Sequence, residues 1–321
     1  MPLVSVPLIG LAGRPRLASA AVSTELSAAR AGELARELGA VCRLAGLDPA
    51  GAELVRYTVH AVYRLPAAGA VARLADDSGA YLRARRVVRT ARWLAGHGAP
   101  VARLLVGVPQ PVIAGRCAAT FWVELADAGA RPARDLAEPL HALHGLPASG
   151  PLPRWSPFEP AARRLGNARG LPVADQRWLA AEWAAVERDY RALVANPRPG
   201  LRTGIVHGDA HPGNLLRDRS GGLVLGDLDG TGIGPLDWDL VPSAVAAIRF
   251  GPPEGYAGLA AAYGRDVTAQ PSWPVLRRIR ELIMVTAVTT DLAHRPALAA
   301  QHAHRMRTLR AGDLDARWER Y

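Results

Sequence analysis

The segment His207-Gly208-Asp209-Ala210-His211-Pro212-Gly213-Asn214, followed by Leu225-Gly226-Asp227-Leu228-Asp229, constrains this chain more than any other stretch. Gly204-Ile205-Val206 and Leu223-Val224-Leu225 are short apolar runs bounded by glycine, the pattern of buried strands. Between Asn214 and Asp227 a Leu-Leu pair precedes Arg217-Asp218-Arg219-Ser220-Gly221-Gly222, a polar turn signal. A hairpin centred on Ser220-Gly221 sets Asn214 opposite Asp227 and brings two oxygen donors to one end of the hairpin.

An amide oxygen and a carboxylate, with positions left for phosphate oxygens and water, suit Mg²⁺, which rarely takes an all-protein cage. Asp209 precedes Asn214 on a loop whose Gly208, Pro212 and Gly213 favour sharp turns over helix. From there a carboxylate can accept the proton of an attacking hydroxyl during in-line phosphoryl transfer. Taken singly, each Asp or Asn reads as a turn or cap residue; it is the whole pattern that points to phosphoryl transfer. His207 is expected to bond within the loop rather than to act as a base, and His211 to line a pocket.

These motifs resemble those of the aminoglycoside phosphotransferase and choline kinase-like family, in its bacterial phosphotransferase branch, whose fold is related to that of the protein kinases. The resemblance runs from about Arg56 to Tyr321. It implies an α+β, bilobal, protein-kinase-like fold: a small antiparallel-sheet N-terminal lobe over residues 1–122, with a helical extension over about 1–50, and a larger mainly helical C-terminal lobe over 123–321. It also implies Asp209 as catalytic base, Asn214 and Asp227 as Mg²⁺ ligands, His207 bracing the loop, and Asp239 in Gly234-Pro235-Leu236-Asp237-Trp238-Asp239-Leu240 as the buried aspartate that holds the loop backbone. Val59–Leu65 and Ala70–Leu74 resemble the first strands of the small lobe, and Ala119–Leu125 its last strand, with backbone groups from Val123 to Leu125 set to bond the adenine of ATP or GTP.

The chain departs from that family pattern in two places, the strand lysine and the helix glutamate. No lysine occurs in its 321 residues, so Arg73 takes the place of the strand lysine that clamps phosphates; arginine keeps the charge but adds a bulkier planar fork. The helix expected over about Ala80 to Gly96 carries Arg83, Arg85, Arg86, Arg89 and Arg92 and puts Val87 where the partner glutamate belongs, leaving Asp76 or Asp77 to orient Arg73. Arg56-Tyr57-Thr58-Val59-His60-Ala61 stands where protein kinases have a glycine-rich loop, which argues against a protein-kinase or P-loop assignment.

With 49% apolar residues the chain can bury a sizeable core, and its length suits two lobes. Cys42 and Cys117 form no disulfide or metal-ligand pattern and read as small buried hydrophobes of a reducing cytosol. The net charge of +10 comes from arginines scattered along the chain, with 6% aromatics and no nucleic-acid-binding signature, so nucleic acid is not the expected partner. Met1–Ala21 lacks a basic start and is interrupted by Arg14-Pro15-Arg16, which argues against a signal peptide, and no apolar run reaches the ~18 residues of a membrane span. A cytoplasmic location is expected.

Helices are expected over Ser23–Ala45, Arg131–Leu146, Val173–Ala195, Pro253–Tyr263, Val275–Asp291 and Pro296–Arg310, with a loop at Pro151–Pro160. The resemblance places the phosphate acceptor between the catalytic loop and the C-terminal helices. Asp229, Asp237, Glu281 and Asp291 are therefore candidates for a hydroxylated or cationic acceptor, with caps and salt bridges the plainer reading of Asp237 and Asp291. The basic balance argues mildly against a polycationic aminoglycoside. The expected activity is transfer of the γ-phosphoryl group of ATP or GTP to a hydroxyl of a small molecule. A catalytically silent nucleotide- or partner-binding module and a serine/threonine peptide kinase are the alternatives.

Overall fold

A computed structural model describes residues 26–57, 60–252 and 254–321. The leader reading of Met1–Ala21, the first residues of the helix expected from Ser23, Val59 of the first strand and Pro253 lie outside them. In chain order the elements are α1 (Ala28–Ala45), β1 (Glu53–Tyr57), β2 (Ala61–Leu65), β3 (Ala70–Ala75), α2 (Ala80–Gly96), β4 (Val112–Ala114), β5 (Cys117–Val123), β6 (Ala126–Asp127), α3 (Ala137–His144), α4 (Phe158–Gly166) and α5 (Val173–Ala195). There follow β7 (Thr203–Val206), β8 (Leu215–Arg217), β9 (Leu223–Leu225), β10 (Gly232–Pro235), α6 (Val241–Phe250), α7 (Glu254–Tyr263), α8 (Trp273–Thr286) and α9 (Pro296–Arg310). They fall into two compact units. The first takes the described residues up to Ala130 together with Leu215–Asp229, and the second takes Arg131–Asn214 with Gly230–Tyr321.

In the first unit an antiparallel sheet has the order β1-β2-β3-β5-β4; β2 and β3 alternate buried and half-buried positions, as strands with one packed face do, while β5 is buried along nearly its whole length. Ala61, Tyr63 and Leu65 of β2 and Ala70, Ala72 and Leu74 of β3 point into a core shared with Leu34, Leu38, Val41 and Cys42 of α1. Arg73 lies on the opposite face, paired in register with Val62 and Thr120. Ser27 caps α1 by accepting from the Arg30 N–H, and Gly46 ends it in the left-handed conformation. Both cysteines are buried and unbridged; burial pushes the Cys42 thiol up to about 11 and that of Cys117 up to about 12.

The β8–β9 hairpin belongs to this unit, with β6 on its other side. Its pairs are Leu215 with Leu225, Leu216 with Val224 and Arg217 with Leu223. This corrects the expected register: continued outward, it sets Asn214 opposite Gly226 rather than Asp227. The cause is the turn. Asp218 Oδ1 accepts from the Ser220 and Gly222 N–H groups and from the Ser220 hydroxyl, and the Asp218 N–H donates to the Gly222 carbonyl, so the turn is centred on Ser220. The buried Leu225 then anchors β9 on the segment after α2, donating to the Pro100 carbonyl (2.8 Å) and accepting from Ala102 (2.9 Å).

The second unit is mainly helical and carries one two-stranded ladder, β7 with β10. α5 and α8 pack through Leu179, Trp183 and Val186 on one side and Leu276, Ile279 and Val285 on the other, with the Trp183 indole donating to Thr286. The helix expected over Arg131–Leu146 is a 3₁₀ turn at Ala133–Leu136 running into the shorter α3, and α8 stops at Thr286 rather than Asp291. α4 begins inside the segment expected to be loop: Pro160 falls in its first turn, where no intrahelical N–H bond is lost. No helix of the described residues is long and apolar enough to cross a membrane.

Candidate active site

The loop after β7 is fixed by one buried carboxylate. Asp239 is fully buried; its Oδ2 accepts from the His207 N–H (2.6 Å) and its Oδ1 from the Gly208 N–H (2.9 Å). The Trp238 indole donates to the Gly208 carbonyl at 2.8 Å, and Thr231 donates to that of His207 at 3.3 Å. Gly208 has φ 91°, and a Cβ there would sit 2.1 Å from the Gly230 carbonyl oxygen, so no other residue fits. His144, at the end of α3 with its side chain 4% exposed, completes the brace. Its Nε2 lies 2.9 Å from Asp239 Oδ2 and its Nδ1 2.6 Å from the Tyr263 hydroxyl.

On that loop the Asp209 carboxylate meets Arg280 of α8, Nη1 to Oδ1 at 2.7 Å, and His211 Nε2 lies 3.6 Å from its Oδ2. Burial alone would raise the Asp209 carboxyl; Arg280, with His211 and His207, outweighs it and holds the group below the usual carboxylate range. Asp209 is therefore ionised at neutral pH while 46% of its side chain remains open to solvent. Arg280 carries no motif, and nothing in the sequence near Asp209 signals it. Asn214, 8% exposed, donates from Nδ2 to the Asp209 carbonyl at 2.9 Å, and its Oδ1 accepts no hydrogen bond among the described residues.

In the first unit Arg73, with only 13% of its side chain exposed, reaches the residues that follow β9. Its Nη2 donates to Asp229 Oδ2 at 2.7 Å, to Asp227 Oδ1 at 3.3 Å and to His60 Nδ1 at 3.3 Å. Arg56 lies 3.7 Å from Asp227 Oδ2. Burial would lower the Arg73 pKa, but the two carboxylates outweigh it and keep the guanidinium charged; Asp229 is likewise held down against burial, mainly by Arg73. Burial and Arg73 together depress His60, so its imidazole is neutral and accepts from Arg73. Asp227 is the one non-glycine residue with positive φ among those described, at 54°, a conformation that Asp tolerates better than most.

This geometry answers the question of the missing helix acid. Val87 is buried, and the partner of Arg73 is Asp229 rather than a residue of α2. Asp76 and Asp77, considered for that task, bind Arg30 and Arg83 instead. α2 contributes Arg86, whose Nη2 donates to the Asp229 carbonyl at 3.3 Å. Asp229 is thus engaged by Arg73 and Arg86, with 36% of its side chain exposed. Glu281, the other acceptor candidate, is 4% exposed and binds Arg249 (2.8 Å) and Arg277 (2.9 Å), while Arg249 also holds the carbonyls of Asp313 and Ala316. Asp237 is buried against Arg265 and Ser272. Of the expected adenine-binding groups, the Val123 N–H already donates to the Arg103 carbonyl at 2.9 Å, and Leu125 lies just beyond the end of β5.

Among the described residues no group of three or more His, Cys, Asp or Glu side chains is disposed to hold a metal alone. Asn214, in the second unit, and Asp227, in the first, each carry an oxygen donor of the hard kind that Mg²⁺ takes.

A braced Asp loop, a strand cation with carboxylate partners and an α+β architecture define a phosphotransferase of the kinase-like fold. The chain belongs to the phosphotransferase enzyme family (APH), whose model matches residues 59–282, more than half of its length. No curated protein matches it. Solved structures share the fold at low identity. A choline/ethanolamine kinase family protein from Mesorhizobium loti is 21% identical with a TM-score of 0.57, over 88% of this chain and 94% of that one. The aminoglycoside phosphotransferase APH(3'')-Id from Streptomyces rimosus is 21% identical with a TM-score of 0.59, over 78% and 98%. The amicoumacin kinase hAmiN, solved with AMP-PNP, Ca²⁺ and Ami, is 13% identical with a TM-score of 0.63, over 90% and 98%.

Proposed function

We propose that this protein transfers the γ-phosphoryl group of ATP or GTP to a hydroxyl of a small molecule. The observation that carries the reading is Asp209, ionised and solvent-accessible on a loop whose backbone is clamped by Asp239. The acceptor oxygen bonds to the γ-phosphorus as the bond from that phosphorus to the β,γ-bridging oxygen breaks. The hydroxyl proton passes to Asp209, and the nucleoside diphosphate leaves with the electron pair. Arg73, held by Asp229, contacts the polyphosphate. We assign Asn214 and Asp227 as ligands of Mg²⁺, which when bound neutralises phosphate charge. His207 and Asp239 position the loop. A nucleotide cosubstrate is supported by the AMP-PNP bound to the amicoumacin kinase, and the acceptor class by that enzyme's co-crystallised Ami.

A second reading, a silent nucleotide-binding module, draws on the absence of an acid from α2, where Val87 is buried. Calorimetric titration with ATP and GTP, with and without Mg²⁺, on the wild type and Asp227→Ala separates the two. Metal-dependent binding that is lost in the variant, with nucleoside diphosphate released in the presence of hydroxyl compounds, supports the enzyme. Nucleotide binding without any turnover favours the silent module.

A further inference from the structure

The first unit presents a second strand cation beside Arg73. β1 and β2 pair Leu54 with Tyr63 and Arg56 with Val62, so Val55, 57% exposed, is an extra residue that makes a bulge in β1. Regular pairing would set Arg56 opposite Ala61, a core position, because side chains alternate between the faces of a sheet. With the bulge, Tyr57 stands opposite Ala61 and packs against the core, and Arg56 moves to the face that carries Arg73. Arg56, Val62, Arg73 and Thr120 then form one row across β1, β2, β3 and β5. From that row two guanidinium groups converge on one carboxylate: Arg73 Nη2 lies 3.3 Å from Asp227 Oδ1, and Arg56 Nη2 lies 3.7 Å from Asp227 Oδ2. Their engagements differ. Arg73, 13% exposed, is also held by Asp229 and His60, whereas the Arg56 side chain, 40% exposed, has no other ion pair and no hydrogen bond among the described residues. Arg86 adds a third cation, donating to the Asp229 carbonyl, so three guanidinium groups stand by the two carboxylates of Asp227 and Asp229.

Resting on the phosphotransferase reading, we infer that Arg56 is a second binding residue for the nucleotide polyphosphate, brought to the Arg73 face by the β1 bulge in the stretch where protein kinases have a glycine-rich loop. The ion pair with Asp227, too long for a hydrogen bond, keeps the guanidinium near that carboxylate while leaving its N–H donors for phosphate oxygens. A polyphosphate beside Asp227 is then met by cations from two strands, one buried and fixed, the other accessible and able to follow the ligand.

The test is calorimetric titration of the full chain with Mg²⁺-ATP and Mg²⁺-GTP, and with adenosine or guanosine, whichever matches the nucleotide that binds, titrated in competition with it. Arg56→Ala is expected to weaken the Mg²⁺-nucleotide by about tenfold or more, as for one lost charge-assisted contact, and to leave the nucleoside, which has no phosphate, within about twofold of wild type. The thermal transition should stay where it is, because the side chain is accessible and makes no hydrogen bond. Should Arg56→Ala not melt cooperatively, Arg56→Gln, which removes the charge but keeps a polar head, carries the same expectation. Nucleotide affinity equal to wild type would overturn the inference and leave the kinase intact. An equal loss for nucleotide and nucleoside would also overturn it, since the substitution would then have distorted the site rather than removed a phosphate contact. Wild-type protein that binds neither Mg²⁺-nucleotide would remove the phosphotransferase reading and the inference with it.

Discussion

A carboxylate 2.7 Å from a guanidinium is a weaker base than a free one, yet that is the state of Asp209. The arrangement suits phosphoryl transfer, whose loose transition state asks more for orientation of the hydroxyl than for a strong base. Asp209→Asn is expected to lower kcat by ~10²–10⁴ with nucleotide affinity nearly unchanged, measured by steady-state kinetics and calorimetry. Unchanged turnover would remove the base assignment. Arg280 sets the pH behaviour. With Arg280 present the Asp209 carboxyl lies below its ordinary value, so the ionised form is complete at neutral pH and is lost only as pH falls through the folded-state value. In Arg280→Ala burial acts with less opposition and the carboxyl rises. The acid limb of kcat/KM should therefore move to higher pH; a limb that stays in place, or moves down, contradicts the pairing. Arg73→Ala should weaken Mg²⁺-nucleotide binding by ~10–100-fold, as expected for loss of charge-assisted contacts to phosphate. Undiminished affinity would reduce Arg73 to a strand residue.

At the scale of elements, the turn between β7 and the 3₁₀ segment at Pro212–Asn214 is held by contacts from distant parts of the chain, and Asp239 collects three of them. Asp239→Ala orphans two backbone donors and one histidine nitrogen, each buried or partly so. At ~1–3 kcal/mol for each unsatisfied group, a loss of several kcal/mol of stability is expected in urea unfolding. A loss below about 1 kcal/mol would mean that water replaces the brace. The Asp209 loop, the Arg73 strand and the hairpin were legible because each is carried by a local pattern of turn residues and apolar alternation. The partners of those residues were not. His144 and Arg280 lie far along the chain from the groups they touch, and no spacing rule connects them. The hairpin register slipped by one because Asp218 folds three hydrogen bonds into the turn, a choice that composition does not reveal. α4 was hidden by the proline-rich segment ending at Pro160, which stands in its first turn, where proline is tolerated; Pro242 likewise stands in the first turn of α6.

At the scale of the whole molecule, neither compact unit is continuous in sequence. The chain leaves the second unit after Asn214, contributes Leu215–Asp229 to the first, and returns at Gly230. The first unit thus depends on a hairpin supplied some 85 residues after its main segment ends, and that hairpin brings the only carboxylates that bind Arg73 among the described residues. A fragment ending at Ala130 would keep the five-stranded sheet and α1 but lose β8, β9, Asp227 and Asp229, and with them the carboxylates that hold the Arg73 guanidinium, 13% exposed while they are in place. A charge left without its partners costs at most about 3–5 kcal/mol, reached only if it stays buried, comparable to the whole margin of a small domain. The fragment 1–130 should therefore fail to give a cooperative thermal transition. Arg73→Met in the same fragment should recover part of the lost stability, because the buried position then holds an uncharged side chain of similar length. Calorimetric melting of both fragments decides the matter: a fragment that melts cooperatively with Arg73 in place would show that the sheet and α1 suffice, and that the Arg73–Asp229 pair contributes to the site without supporting the fold.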